Sequence, residues 1–104
     1  MNPSGTVLVV DDERTLARAI KAFLKESGYE AEVASDGESA VGMLQSLRPD
    51  VVFADVRLPG MSGIDLLKSL RKRQNTIPVI VMTGHGDVPL AVEAMKYGAT
   101  DFLE

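Results

Sequence analysis

Apolar and polar positions alternate between two rhythms along this chain. Short runs rich in β-branched residues are followed by segments in which apolar residues recur every three or four positions. Thr6–Val10 is apolar almost throughout, as in a strand covered on both faces. Residues 13–27 carry Leu16, Ile20, Phe23 and Leu24 at helical spacing. Gly28 stands where a helix would be capped at its C-terminus. Residues 29–34 predict a weaker strand, with Glu30 and Glu32 marking it as a wet edge. Asp36 predicts an N-cap for a helix through Leu47, with Ala40, Met43, Leu44 and Leu47 on one side and Pro49 as its stop.

The alternation continues. Residues 50–55 predict a buried strand, and Pro59-Gly60 with Gly63 predict a loop. A helix is predicted over 64–73, with Ile64, Leu67 and Leu70 inward. Arg71, Lys72 and Arg73 form a solvated last turn that complements the helix dipole. A further buried strand is predicted over 77–82, Pro78 falling near its start where a missing N–H is tolerated. Asp87 predicts a cap for a helix to Tyr97, with Val88, Ala91, Val92 and Met95 inward and Gly98 closing it. Residues 100–103 begin a fifth strand. A (βα)₄β pattern implies parallel strands joined by helical crossovers, with helices on both faces: a three-layer α/β fold.

Composition narrows the function classes. The chain has 104 residues, enough for one domain, with 45% apolar and 25% charged positions. Eleven Lys and Arg against fifteen Asp and Glu give a formal charge of −4. No basic run marks a nucleic-acid surface. No apolar run approaches the length of a membrane span, and the N-terminus lacks a secretory pattern. The absence of cysteine removes disulfides and thiol chemistry, and fits a cytoplasmic protein. One histidine cannot build a zinc site without several carboxylates.

Open parallel sheets bind ligands beyond the carboxyl ends of their strands. Asp11 and Asp12 follow the first strand, Asp55 ends the third and Thr83 follows the fourth. If the strand order is 2-1-3-4-5, these strands are neighbours and the four residues would converge. Three crowded carboxylates call for solvation or for a hard divalent cation such as Mg²⁺. Asp12 and Asp55 suit direct ligation, and Asp11 suits ligation through water. A carboxylate in such a site can attack phosphorus, and a threonine hydroxyl can meet a phosphoryl oxygen.

Four segments together carry a family resemblance. They are Val7-Leu8-Val9-Val10-Asp11-Asp12-Glu13, Asp55 through Gly63 with Leu58-Pro59-Gly60-Met61, Val81-Met82-Thr83-Gly84, and Gly98-Ala99-Thr100-Asp101-Phe102-Leu103. In this order and spacing the chain resembles the receiver domain of bacterial two-component response regulators over nearly its whole length, 1–104. The resemblance implies a flavodoxin-like fold with the five-stranded order 2-1-3-4-5. It implies Asp55 as phosphoacceptor, and Asp11, Asp12, Asp55 and the backbone carbonyl of Arg57 as Mg²⁺ ligands. It also implies Thr83 as switch hydroxyl and Phe102 as switch aromatic.

The implied partners are a sensor histidine kinase, a covalently attached output domain acting in transcription, and a homodimer through the fourth helix and fifth strand. Direct nucleic-acid binding and membrane association are not expected of this domain. Arg57 and His85, two residues beyond Asp55 and Thr83, are expected to affect how fast water removes the phosphoryl group. One departure stands out. The family's lysine at the end of the fifth strand would fall just after Glu104, so a fragment lacking that lysine and the fifth helix is expected, with an apolar patch left open. Two other classes stay open: a receiver-like interaction module that is never phosphorylated, and a Mg²⁺-dependent phosphohydrolase.

Overall fold

The computed structural model describes residues 5–83 and 88–103. The apolar runs form five strands: β1 Thr6–Val10, β2 Glu30–Ala34, β3 Val51–Asp55, β4 Val79–Met82 and β5 Asp101–Leu103. All pair in parallel, in the order β2-β1-β3-β4-β5. Four helices alternate with them: α1 Arg14–Glu26, α2 Gly37–Leu47, α3 Gly63–Lys72 and α4 Val88–Lys96. The predicted three-layer α/β fold and strand order are both present. Winding reverses between β1 and β3, which places α1 on one face and the other three helices opposite.

The two faces are covered unequally. Toward α2, α3 and α4, the strand residues Val52, Ala54, Val79 and Val81 are fully buried beneath Leu66, Leu67 and Leu70. The alternate residues Val51, Phe53, Ile80 and Met82 face α1's side and are only half-buried. There α1 packs on β1 and β2 through Ala17, Ile20 and Leu24, leaving β3 to β5 open among the described residues. The apolar row on β3 and β4 is thus half-buried rather than sealed, and Val51, Phe53 and Met82 still pack against the α1-side cluster. Parallel strands ordinarily bury both faces.

Most local signals act as expected. Asp36 accepts a hydrogen bond from the Ser39 N–H at 2.7 Å and caps α2. Gly28 and Gly98 take φ of 97° and 96° after α1 and α4, the left-handed region that glycine enters without steric cost. α2 stops at Leu47, and Arg48 takes the left-handed C-cap before Pro49. Strand β4 begins at Val79, after Pro78, whose carbonyl accepts from Val52 N–H.

Two predicted helix faces need correction. Leu16 and Phe23 of α1 are 44% and 68% exposed, and Ala17 occupies the buried position instead. In α4, Val88, Val92 and Met95 point outward; Ala91 and Ala94 face the sheet. Small side chains let a helix approach the sheet closely, so a stripe of alanines is buried while larger apolar residues stay outside. Pattern reading weights the larger residues and rotates the helix. The predicted cap Asp87, together with Gly84 and His85, lies outside the described residues.

Candidate functional site

Asp11 follows β1 at the centre of the sheet. Its backbone N–H donates to the Ala34 carbonyl at 3.0 Å, extending the β1–β2 ladder one step. The side chain is buried, and one carboxylate oxygen accepts from the Glu13 N–H at 2.9 Å. Asp11 thus also helps to satisfy the backbone at the start of α1. The N-cap position itself belongs to Glu13, which makes no side-chain cap bond. Asp12 is exposed.

Asp55 ends β3, half-buried, and its Oδ1 accepts from the Arg57 N–H at 3.0 Å. The chain then turns into α3 under tight constraint. Val56 is buried and its N–H reaches the Met82 carbonyl at 2.9 Å. Gly63 N–H returns to the Val56 carbonyl at 3.0 Å. A Cβ on Gly63 would run into the Asp55 backbone carbonyl, so only glycine fits behind Asp55. Ser62 and Asp65 form a reciprocal capping box that starts α3 at this point.

The three carboxylates meet as the topology requires. Single oxygens of Asp11, Asp12 and Asp55 all lie within 4.8 Å of one another. Oxygen ligands on Mg²⁺, each at about 2.1 Å, stand about 3.0 to 4.2 Å apart. A small inward movement brings this oxygen-only set into that range, with room for water at the remaining positions. The residues fit a hard divalent cation.

Thr83 shares the site. A cavity of about 270 Å³ is lined by Asp11, Glu13, Leu16, Asp55, Met82 and Thr83. Thr83 is buried, and both its N–H and its Oγ1 donate to the Leu103 carbonyl, at 2.7 and 3.2 Å. Phe102, one residue earlier on β5, pairs with Val81 and packs half-buried against the larger core. The structure thus brings Asp11, Asp12, Asp55 and Thr83 together and ties Thr83 to the strand that carries Phe102. Arg57 is exposed beside Asp55. His85 lies outside the described residues.

The sequence profile of the response regulator receiver domain matches residues 7–104. The chain belongs to this family. It is 42% identical to the transcriptional regulatory protein FixJ of Bradyrhizobium diazoefficiens over 104 residues, which is 51% of that protein. It is 37% identical over 103 residues to the regulatory protein AtoC of Escherichia coli, covering 22% of it. Among solved structures, full-length FixJ from B. japonicum matches 96% of the chain and 49% of its own length, with 43% identity and a TM-score of 0.90. The receiver domain of the Francisella response regulator 1452 matches 95% of the chain, with 35% identity and a TM-score of 0.88.

The chain spans about half the length of FixJ and about a fifth of AtoC. It is a two-component receiver domain related to transcription regulators, a phosphoacceptor switch rather than a turnover enzyme. Its aspartate cluster stands at the family's usual phosphorylation site and is consistent with the family's metal site. No helix among the described residues is long and apolar enough to cross a membrane.

Sequence reasoning placed Gly63 in the loop but missed why it must be glycine, because its contact with the Asp55 carbonyl depends on how the loop folds back. The Ser62-x-x-Asp65 capping box was readable from spacing alone.

Proposed function

We propose that Asp55 is the phosphoacceptor of a signalling switch. The observation that carries this reading is the cavity wall that Asp55 shares with Asp11 and Thr83 at the carboxyl edge of the sheet. An Asp55 carboxylate oxygen attacks the phosphorus of a phosphohistidine on a sensor histidine kinase. The new P–O bond forms as the P–N bond breaks, and the imidazole leaves with the bond's electron pair. Asp11, Asp12, Asp55 and the Arg57 carbonyl would hold Mg²⁺, which when bound supplies charge neutralisation for phosphoryl transfer. The turn at Gly63 fixes the backbone that carries Asp55.

The readout runs through Thr83. In the resting arrangement its hydroxyl donates to the Leu103 carbonyl. A phosphoryl oxygen on Asp55 competes for that hydroxyl. Moving Thr83 breaks its side-chain bond to β5 and opens space for Phe102 to turn inward. The surface of α4 and β5 then changes, selecting a homodimer or an attached output domain in transcription control. Phosphorylation favours the second packing only through such differential contacts. Val88, Val92, Met95 and Leu103 are already exposed on these elements and give that surface its apolar character.

Arg57 and His85 flank the phosphoryl position and tune its hydrolysis, so small residues there change dephosphorylation more than phosphorylation. The setting is cytoplasmic. The half-buried row Val51, Phe53, Ile80 and Met82 is the surface that a fifth helix, preceded by the family's lysine, would cover.

The test is Asp55→Asn. Acetyl phosphate with Mg²⁺ should add one phosphoryl group to the wild-type chain and none to the variant, read by intact mass. Stoichiometric labelling of Asp55→Asn would reject the assignment.

A further inference from the structure

A second recess lies against the acidic site but has the opposite charge. It is a cleft of about 330 Å³ between α1 and β2, with Asp11, Arg14, Arg18, Lys21 and Ser35 as its polar lining. Arg14, Arg18 and Lys21 stand four and three residues apart, on one face of α1. Lys21 is occupied by Glu32, at 3.7 Å. Arg14 and Arg18 make no ion pair or side-chain hydrogen bond among the described residues.

Helix stability does not account for this placement. Arg14 is in the first turn of α1, where the helix dipole disfavours a cation, and that turn holds no acidic residue. An arginine pair on an exposed helix is ordinarily a solvated face. What distinguishes this pair is the shared wall: Asp11 lines both the basic cleft and the acidic cavity of Asp55 and Thr83. A phosphate-bearing donor nearing Asp55 meets three carboxylates on a chain of net charge −4. Its approach is repelled unless nearby cations offset the field.

We propose that the α1–β2 cleft is an anion subsite in which Arg14 and Arg18 hold a small phosphate-class anion beside the acidic cluster. Its role in delivering a phosphodonor rests on the reading of Asp55 above; the binding of the anion does not. Arginine suits the task because its planar guanidinium offers paired donors to phosphate oxygens. Ser35 adds a hydroxyl on the β2 side of the cleft.

Binding and delivery are tested separately. In the Asp55→Asn chain, without Mg²⁺ and at low ionic strength, inorganic phosphate is titrated while the arginine Nε–H and α1 amide NMR signals are followed. Saturable shifts of the Arg14 and Arg18 Nε–H and of the α1 amides are expected, the α1 amide shifts being lost in Arg14→Gln/Arg18→Gln with unchanged helix content. Non-saturable shifts, or the same shifts in the double variant, would overturn the subsite. For delivery, acetyl phosphate should label the double variant about tenfold more slowly than wild type at low salt. That difference should vanish near 1 M salt, where screening acts within about 3 Å. Equal rates at low salt would overturn the delivery role. A wild-type chain that takes no label would instead fault the reading of Asp55, with the phosphate titration still deciding the subsite.

Discussion

The two edges of the sheet use charge in opposite ways. At the amino edge, charged groups close the backbone. Asp50 accepts from the Thr6 N–H at 2.7 Å, while its own N–H reaches the Thr6 carbonyl at 2.8 Å. Arg71 donates to the carbonyls of Asn75, Ile77 and Gly98, at 2.9, 2.9 and 2.8 Å. One side chain thereby joins the end of α3, the approach to β4 and the turn after α4. At the carboxyl edge, three carboxylates crowd one another instead. Structure is secured where charges face partners, and chemistry is held where like charges face each other. The amino edge should therefore govern stability, and the carboxyl edge should govern ligand binding and phosphotransfer.

Gly63→Ala should have the largest effect that crosses this division. The added methyl group meets the Asp55 carbonyl, so overpacking should cost about 1–3 kcal/mol in urea unfolding. It should also slow acetyl phosphate labelling, because the backbone that must yield carries Asp55. Normal labelling in a destabilised variant would show that the Asp55 carboxylate is positioned independently of its own peptide.

Arg71→Met should cost about 2 kcal/mol through its lost charged hydrogen bonds, while leaving Mg²⁺ affinity and labelling unchanged. Arg71→Lys should recover little, since an ammonium cannot reproduce the fork that reaches three carbonyls. A change in Mg²⁺ affinity on this substitution would break the separation of the two edges.

Asp12→Asn should do the reverse. Mg²⁺ affinity should fall about tenfold or more, since even outer-shell partners carry that weight. The thermal midpoint without metal should hold or rise, because one repelling charge is gone. A clear drop in that midpoint would mean that the cluster is structural.

The smallest effect concerns Asp36, at the start of α2. Its carboxyl lies below the ordinary aspartate value, chiefly because the Ser39 backbone N–H donates to it and secondarily through the Ser39 side chain. A lowered folded value means that the stabilising contribution is present above the unfolded aspartate range, near about pH 4. It is lost as pH falls through the lower folded value. Asp36→Asn should flatten the acid side of the stability curve, seen as urea midpoints that vary less with pH below about 4.

The parts that sequence could reveal are those set by local pattern plus topology. β-branched runs located β1, β3 and β4, the alternation of Glu30 and Glu32 with apolar residues located β2, and strand ends located Asp11, Asp12, Asp55 and Thr83. Once strands 1, 3 and 4 are adjacent, no side-chain detail is needed to bring those residues together. The misread positions depend on shape. Alanines bury α4 against the sheet although larger apolar residues compete in the pattern. Arg71 looked like a solvated helix end; its partner Gly98 is 27 residues away, and nothing local signals that contact. Gly63 is constrained by a carbonyl that only the folded loop brings near.

The claim that three strand-end carboxylates form one cation pocket is tested most directly by a Mg²⁺ titration of the wild-type chain. The reporters are the backbone N–H signals of Glu13 and Arg57, which donate to Asp11 and Asp55. Both should move along one saturating curve with a single dissociation constant. Separate affinities at the two amides, or no saturable response at either, would contradict the account.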